Sequence, residues 1–209
     1  MISGHDLLIF LGASILLDIS PGPDTLYVLT RTVAQGRRAG LLSSIGVCSG
    51  ALVHVSAAAL GLSVVLATSA VAFMVVKYAG AAYLIYLGIR TLRAREPLTV
   101  EKARPVRASG WKVFRDGVVI DVLNPKPALF FMAFLPQFVN PAAGHATLQF
   151  FALGLIVIGI ALIWEFLLVV FAHGVTRRLS GNRAVSRWLN RAVGTVFIAL
   201  GIRLALERN

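Results

Sequence analysis

The segment Ser20–Asp24, with the sequence SPGPD, interrupts the first long apolar stretch of the chain, residues 7–29. An apolar stretch of this length is typical of a membrane-spanning helix. Because Pro21 and Pro23 have no N–H group to donate, they are expected to break that helix. Ser20 is a suitable N-cap and Pro21 a suitable first residue for a helix that restarts here. A helix N-terminus within the membrane attracts negative charge, so the segment predicts a binding site for an anionic group.

A second segment of the same kind interrupts a later apolar stretch, roughly residues 117–138. Asn124 is a suitable cap, Pro125 falls at the first helical position, and Lys126 adds a full positive charge at the second. Broken helices at corresponding places in two halves of a membrane protein indicate a transport site, whereas two proline kinks that only shape packing are the alternative. The predicted substrate-binding residues are the members of both segments: Ser20, Pro21, Gly22, Pro23, Asp24, Asn124, Pro125, Lys126 and Pro127.

Ionisable side chains within the apolar stretches are further candidates, because charge inside a membrane is costly and is usually functional. Asp18, Asp121, Glu165 and His54 are candidates for proton coupling or for a charge network, and Asp24 and Glu165 rank first for the proton. The alternatives are that Asp18 and Asp121 pair with each other or with Lys126, and that His54 is a satisfied packing residue. A ligand that carries both charges would suit this set, with its negative group at Lys126 and the helix starts and its positive group at the aspartates.

The sequence contains no nucleophile–base arrangement, phosphate-binding loop or cluster of metal ligands. Cys48 is the only cysteine, so neither an intramolecular disulfide nor a cysteine metal site is expected. We therefore predict no catalytic residues, no metal, no cofactor and no enzymatic activity.

The amino-acid composition indicates what kind of protein positions these residues. Of 209 residues, 57% are hydrophobic and 14% are charged, and the mean hydropathy is +0.81. Soluble domains carry about 25% charged residues, so this chain is predicted to be an all-α integral membrane protein. The net charge of +11 could suggest nucleic acid. That partner is excluded, because the basic residues lie between apolar stretches, where they set topology and meet anionic lipid.

Six membrane spans are predicted, at about 7–30, 41–67, 70–92, 114–136, 149–173 and 191–206. The first, third and fifth connections are rich in Lys and Arg, and the second and fourth contain none. By the positive-inside rule, the basic connections face the cytoplasm and both termini face outward. No Lys or Arg precedes Arg31, so the first span is expected to be retained rather than cleaved as a signal peptide.

The chain is predicted to be one transmembrane domain made of two inverted repeats, about 1–92 and 114–209, joined by a cytoplasmic linker at about 93–113. Both proline segments follow an aspartate, and the sequence LGIR at Leu87–Arg90 recurs at Leu200–Arg203. The GxxxG pattern at Gly46–Gly50 permits close helix approach, and contact within one chain is favoured over a dimer seam, which leaves a homodimer open.

Four features together resemble the LysE/RhtB family of bacterial amino-acid exporters. They are PGPD in the first span, GRRAG at Gly36–Gly40, GAAYLIYLG at Gly80–Gly88 and NPK at Asn124–Lys126. The resemblance covers essentially the whole chain, although many members have Asn where this chain has Asp24. It implies a multi-pass exporter of amino acids or related small zwitterions in the bacterial cytoplasmic (inner) membrane, driven by protons.

Two other functions are weighed against amino-acid export: an inorganic cation exporter of similar architecture, and a non-transporting membrane subunit that binds a partner. Sparse Cys, Met and His ligands within the spans argue against the first, and two charged, proline-broken helices argue against the second.

Overall fold

The computed structural model describes residues 4–20, 22–62, 70–93, 108–179 and 183–206. All regular secondary structure in these ranges is helical, in agreement with the predicted all-α class. The α-helices there are α1 (Gly4–Ile19), α2 (Pro23–Gln35), α3 (Arg37–Ala57), α4 (Ala70–Arg93), α5 (Gly110–Val122), α6 (Pro125–Phe134), α7 (Ala146–Leu179) and α8 (Arg183–Leu206). A π-helical turn, Ala58–Leu62, extends α3, and a 3₁₀ turn, Leu135–Phe138, extends α6.

The first proline segment separates α1 from α2, and the two helices meet at an angle of 52°. The N–H of Ser20 donates to the Leu16 carbonyl at 3.0 Å, so Ser20 still belongs to the last turn of α1. Helix α2 begins at Pro23, its N-cap is the extended Gly22, and no side chain caps it. The prediction that Ser20 caps this helix is therefore wrong, because the hydrogen bonds of α1 run on to this residue. The predicted first helical residue, Pro21, lies outside the described residues.

The second proline segment separates α5 from α6, and the bend between α5 and the extended α6 is 51°. Asn124 is the N-cap, and its Oδ1 accepts a hydrogen bond from the backbone N–H of Lys126 at 3.1 Å. Pro125 is the first residue of α6. The predicted cap and first helical residue are both confirmed here, because the asparagine side chain satisfies a donor that a helix start leaves unpaired.

Among the described residues, two helical segments are long and apolar enough to cross a membrane, Arg37–Leu62 and Ala146–Ala172. The number rises to four if each bent pair is one span. The predicted spans at 70–92 and 191–206 fall on α4 and α8. Most of the predicted linker at 93–113 lies outside the described residues, as does the connection between the predicted spans 41–67 and 70–92.

Gly36 forms the corner between α2 and α3. Its φ is +88°, in the left-handed region that glycine adopts without steric cost, and its N–H donates to the Thr32 carbonyl at 2.9 Å. The corner directs the chain back from the end of α2 into a long helix that passes beside the first break.

Helices α3 and α5 pack at close range through glycines. A Cβ on Gly50 would lie 2.7 Å from the Cβ of Asp121, and one on Gly117 would lie 2.8 Å from the Ser43 carbonyl oxygen. The expected contact of the GxxxG pattern within one chain is thus confirmed. This close packing of α3 and α5 holds Asp121 directly against α3.

Helices α4 and α8 form a second close pair. A Cβ on Gly88 would lie 2.6 Å from the Gly194 carbonyl oxygen, and a Cβ on Gly194 would lie 2.7 Å from that of Gly88. Further along the pair, a Cβ on Gly201 would lie 2.8 Å from the Ala81 carbonyl oxygen. Small residues let two membrane helices approach and gain dispersion contacts without large side chains between them.

Candidate functional site

The two helix breaks face one small internal cavity between α1, α2, α3, α5, α6 and α7. Its volume is about 40 Å³, enough for about three water molecules at 10–15 Å³ each. The cavity is lined by Leu17, Asp18, Asp24, Val47, Cys48, Ala51, Asp121, Lys126, Pro127, Phe131, Val157, Ile158, Ala161, Trp164 and Glu165. Charged groups and an apolar wall therefore line one small space.

Predicted site residues are divided between this cavity and its immediate surroundings. Those that line it are Asp18, Asp24, Asp121, Lys126, Pro127 and Glu165. Ser20 and Asn124 are buried beside it at the two breaks. Pro23 and Pro125 are exposed at the helix starts, so they shape the backbone without lining the cavity.

Lys126 connects the two breaks. Its side chain is buried, with 8% of the residue exposed, and its Nζ donates a hydrogen bond to the Ser20 carbonyl oxygen, 106 residues away in the sequence. A Cβ on Gly22 would lie 3.4 Å from the Asp24 carboxyl carbon and 3.5 Å from the Lys126 Nζ. The absence of a side chain at Gly22 thus leaves room for both charged groups. No ion pair between Lys126 and an acid is found among the described residues.

Four carboxyl groups line the cavity together with this one ammonium group. Within the described part of the chain, Asp18 Oδ2, Asp24 Oδ1 and Asp121 Oδ2 are buried without a hydrogen-bond partner. A buried polar atom without a partner costs about 1–3 kcal/mol. The predicted structural pairing of Asp18 or Asp121 with Lys126 is therefore not observed as an ion pair. These oxygens are available to a polar ligand.

Glu165 is a buried residue of α7 that lines the cavity. Only 4% of the residue is exposed, and its Oε2 accepts a hydrogen bond of 3.4 Å from the Ser44 hydroxyl of α3. This single long hydrogen bond leaves most of the carboxyl group's acceptor capacity unused among the described residues.

His54 lies on α3 outside the cavity lining and contacts Asp121. Its Nε2 is 2.9 Å from the Asp121 backbone oxygen and 3.9 Å from the Asp121 carboxylate. Because a carbonyl oxygen can only accept, Nε2 carries the hydrogen in this contact. The geometry supports the interpretation of His54 as a packing residue that joins α3 to α5.

Sequence reasoning missed the residues that complete the cavity wall. Trp164 is not among the predicted site residues, yet it lines the cavity, and its buried Nε1–H has no hydrogen-bond partner among the described residues. Cys48 also lines the cavity, although the sequence analysis considers it only for a disulfide or a metal site. Helical spacing contained the missing signal, because positions 157, 158 and 161 precede Glu165 by eight, seven and four residues and so share its face.

The described ranges bring no group of three His, Cys, Asp or Glu side chains together in metal-ligand geometry. The arrangement instead offers an ammonium group and an indole N–H as donors, carboxylates as acceptors, and aliphatic carbon in the same lining. Such a mixture can bind a small molecule that carries both charges and an apolar part.

A sequence model of one protein family, described as LysE type translocator, matches residues 15–208. The chain belongs to the LysE type translocator family. This confirms the family that the proline segments and glycine patterns resemble. The family description is that of a translocator, and together with the apolar helices it makes the protein a multi-pass membrane protein.

Relatives of similar length support the assignment. An uncharacterised membrane protein of Bacillus subtilis (strain 168) is 30% identical over 97% of this chain and 100% of its own length. An uncharacterised membrane protein of Vibrio cholerae is 31% identical over 98% of each chain. The leucine efflux protein of Salmonella typhimurium is 29% identical over 94% of this chain and 92% of its own length. No solved structure matches the chain.

Proposed function

We propose that this LysE type translocator exports amino acids with aliphatic side chains, or related small zwitterions, across the bacterial cytoplasmic membrane in exchange for protons. The observation that carries the proposal is the internal cavity, in which Lys126, four carboxyl groups and an apolar wall line one space. The leucine efflux protein among the relatives supports the same class of cargo.

The substrate carboxylate would bind at the second break. Lys126 supplies a full positive charge there, and the N-terminus of α6 adds a partial one. The unpaired indole N–H of Trp164 is a further donor. The substrate ammonium would bind the unpaired oxygens of Asp18, Asp24 or Asp121, which need a donor to offset their burial.

The substrate side chain would contact the apolar wall formed by α3 and α7. This wall consists of Val47, Cys48, Ala51, Val157, Ile158 and Ala161. Aliphatic carbon buried against such a wall gains about 25 cal/mol per Å² of apolar area removed from water. These six side chains include no hydroxyl, amide or charged group, so the wall favours apolar amino acids.

Proton coupling follows from the imbalance of charge. A zwitterion adds one positive and one negative charge, so it leaves the excess of carboxyl groups unchanged. Uncompensated carboxylates are costly in a buried site, and protonation removes that cost. We propose Asp24 and Glu165 as the first candidates to carry the proton, since both line the cavity and Glu165 has only one long hydrogen bond to the protein.

The proposed topology has six spans in two inverted repeats, with both termini outside and the basic connections in the cytoplasm. The similar bends of 52° and 51° at the two proline segments support equivalent roles for α1–α2 and α5–α6. The reciprocal glycine contacts between α4 and α8 support their equivalence as the last helices of the two repeats.

The volume of the cavity indicates that the structure is closed around the site. At about 40 Å³ it is well below the roughly 300–1,000 Å³ of typical small-molecule pockets. Cargo therefore requires the helices to separate on one side at a time, which is alternating access around a fixed site.

Uptake into inside-out membrane vesicles tests the proposal. With an imposed proton gradient, we expect accumulation of one or more aliphatic amino acids, abolished by a protonophore and absent from vesicles without the protein. Amino-acid amides, which lack the carboxylate, should compete poorly. Accumulation of an inorganic cation instead of any amino acid would favour the rival cation exporter, and transport of no solute at all would favour a partner subunit.

A further inference from the structure

Two side-chain bridges join α2 to α5 on the side of the cavity that bears the basic connections. The Tyr27 hydroxyl donates a hydrogen bond of 2.8 Å to the Val113 carbonyl oxygen. One turn further along α2, the Arg31 guanidinium lies 3.7 Å from the Asp116 carboxylate. The same guanidinium stands 5.3 Å from the centre of the Tyr27 ring, so the two bridges form one unit. We call these four residues the α2–α5 latch.

The latch lies between the cavity and the basic face of the protein. Asp24 and Asp121 line the cavity, and from them Arg31 is seven residues along α2 and Asp116 five residues back along α5. At a rise of 1.5 Å per residue, the Arg31–Asp116 pair stands about 7–11 Å along the helices from these cavity residues. Arg31 is 21% exposed and Asp116 27%, so the pair is near water but not fully within it.

The opposite side of the cavity is closed by packed aromatic rings. Phe10 stacks on Phe134 with ring centres 6.3 Å apart, and Phe138 lies 5.2 Å from Phe10 and 4.8 Å from Phe134. Phe10 and Phe134 are fully buried. Beyond these rings lies a second cavity of about 540 Å³, whose walls include Asp6, Phe138 and Gln149. The two sides of the site therefore differ in chemistry, with aromatic rings on this side and the latch on the side that bears the basic connections.

We propose that the α2–α5 latch is the cytoplasmic gate of the transport site. Because it joins the two half-helices that follow and precede the proline breaks, its opening separates α2 from α5 without unfolding either helix. A partly exposed ion pair and one hydrogen bond are weak enough to break and reform in each cycle. The proposal rests on the proposed transport function, and it adds the residues that control access to the site.

Cys48 provides an internal reporter of the gate. It is the only cysteine in the chain, it lines the cavity, and only 6% of it is exposed. The rate at which a membrane-impermeant thiol reagent labels it therefore measures how often the cavity opens to each face. Inside-out and right-side-out vesicles present the two faces separately. A cysteine at the exposed position Arg38, in a Cys48→Ser background, identifies the face that bears the basic connections.

Asp116→Asn and Arg31→Gln should each raise the labelling rate of Cys48 from the basic face by about tenfold, as expected when a minor open state becomes well populated. Tyr27→Phe removes only the hydrogen bond and should give a smaller increase. The matched control is Arg115→Gln: Arg115 lies 3.6 Å from the same Asp116, but it belongs to α5 and so does not join two helices. The exchange Arg31→Asp with Asp116→Arg should restore slow labelling, which a variant that merely misfolds would not do.

The proposal is overturned if Asp116→Asn and Arg31→Gln label at the wild-type rate, if Arg115→Gln accelerates labelling equally, or if both faces become accessible together. Failure of the proposed function gives a different result. In that case no amino acid protects Cys48 from the reagent, although the latch variants still change its labelling rate from one face.

Discussion

Replacement of Lys126 by methionine should abolish high-affinity transport while leaving the protein folded. Methionine keeps most of the apolar stem, so the packing of α6 is largely preserved, but the ammonium group is lost. In the structure this group donates to the Ser20 carbonyl at the opposite break. The variant therefore removes both the proposed partner of the substrate carboxylate and the link between the two breaks.

The magnitude follows from burial. Truncating one partner of a buried, hydrogen-bonded charge pair costs about 2–5 kcal/mol in binding, which is roughly 30-fold to 5,000-fold in affinity. Loss of the donor to Ser20 leaves a buried carbonyl unpaired and costs about 1–3 kcal/mol of stability. Asn124→Ala removes only the cap, at about 0.5–2 kcal/mol, and the backbone N–H groups of α6 remain. Ser20→Ala keeps the carbonyl and should affect transport less than either change.

Initial uptake rates in inside-out vesicles, measured over a range of amino-acid concentrations, give the apparent KM of each variant. Lys112→Met, at an exposed lysine on α5, is the matched control and should transport like the wild type. Elution as a single peak in detergent gel filtration establishes that each variant is folded. A folded Lys126→Met variant with a KM within threefold of the wild type would refute the argument, as would an amino-acid amide that competes as well as the parent acid.

Three further predictions concern the proton, the outer barrier and the topology. Asp24→Asn or Glu165→Gln, whichever removes the proton carrier, should abolish gradient-driven export but preserve amino-acid exchange; normal pH dependence of export in both variants would exclude both residues. Phe134→Leu should loosen the aromatic packing of Phe10, Phe134 and Phe138 and accelerate labelling of Cys48 from the face opposite the latch. Acceleration from the latch side instead would show that these rings do not form the outer barrier. A cysteine introduced at the exposed position Ala143 should be labelled in intact cells while one at Arg38 is not, and the reverse pattern would invert the proposed orientation.

The sequence alone predicts the all-α class, the family and the places where the first and fourth predicted spans break. These features are local, because a proline without an N–H ends a helical hydrogen-bond ladder wherever it occurs. Asn124 and Pro125 behave as predicted, since a cap and the residue after it are set by the chemistry of one turn. The same local reasoning failed at Ser20, where α1 extends one residue further and Gly22 becomes the cap.

Only the tertiary structure places Lys126 against the Ser20 carbonyl, brings Trp164 and Cys48 to the cavity, and pairs Arg31 with Asp116. In the sequence, Arg31 is one of many basic residues near a span end, and Asp116 was not among the candidates. Which faces of two helices meet depends on how close they can approach and at what angle they cross. Here the glycines that bring α3 against α5 and the bends at the two breaks fix that geometry. Contacts between residues about 80–110 positions apart follow from this packing, because no local preference of the chain specifies them.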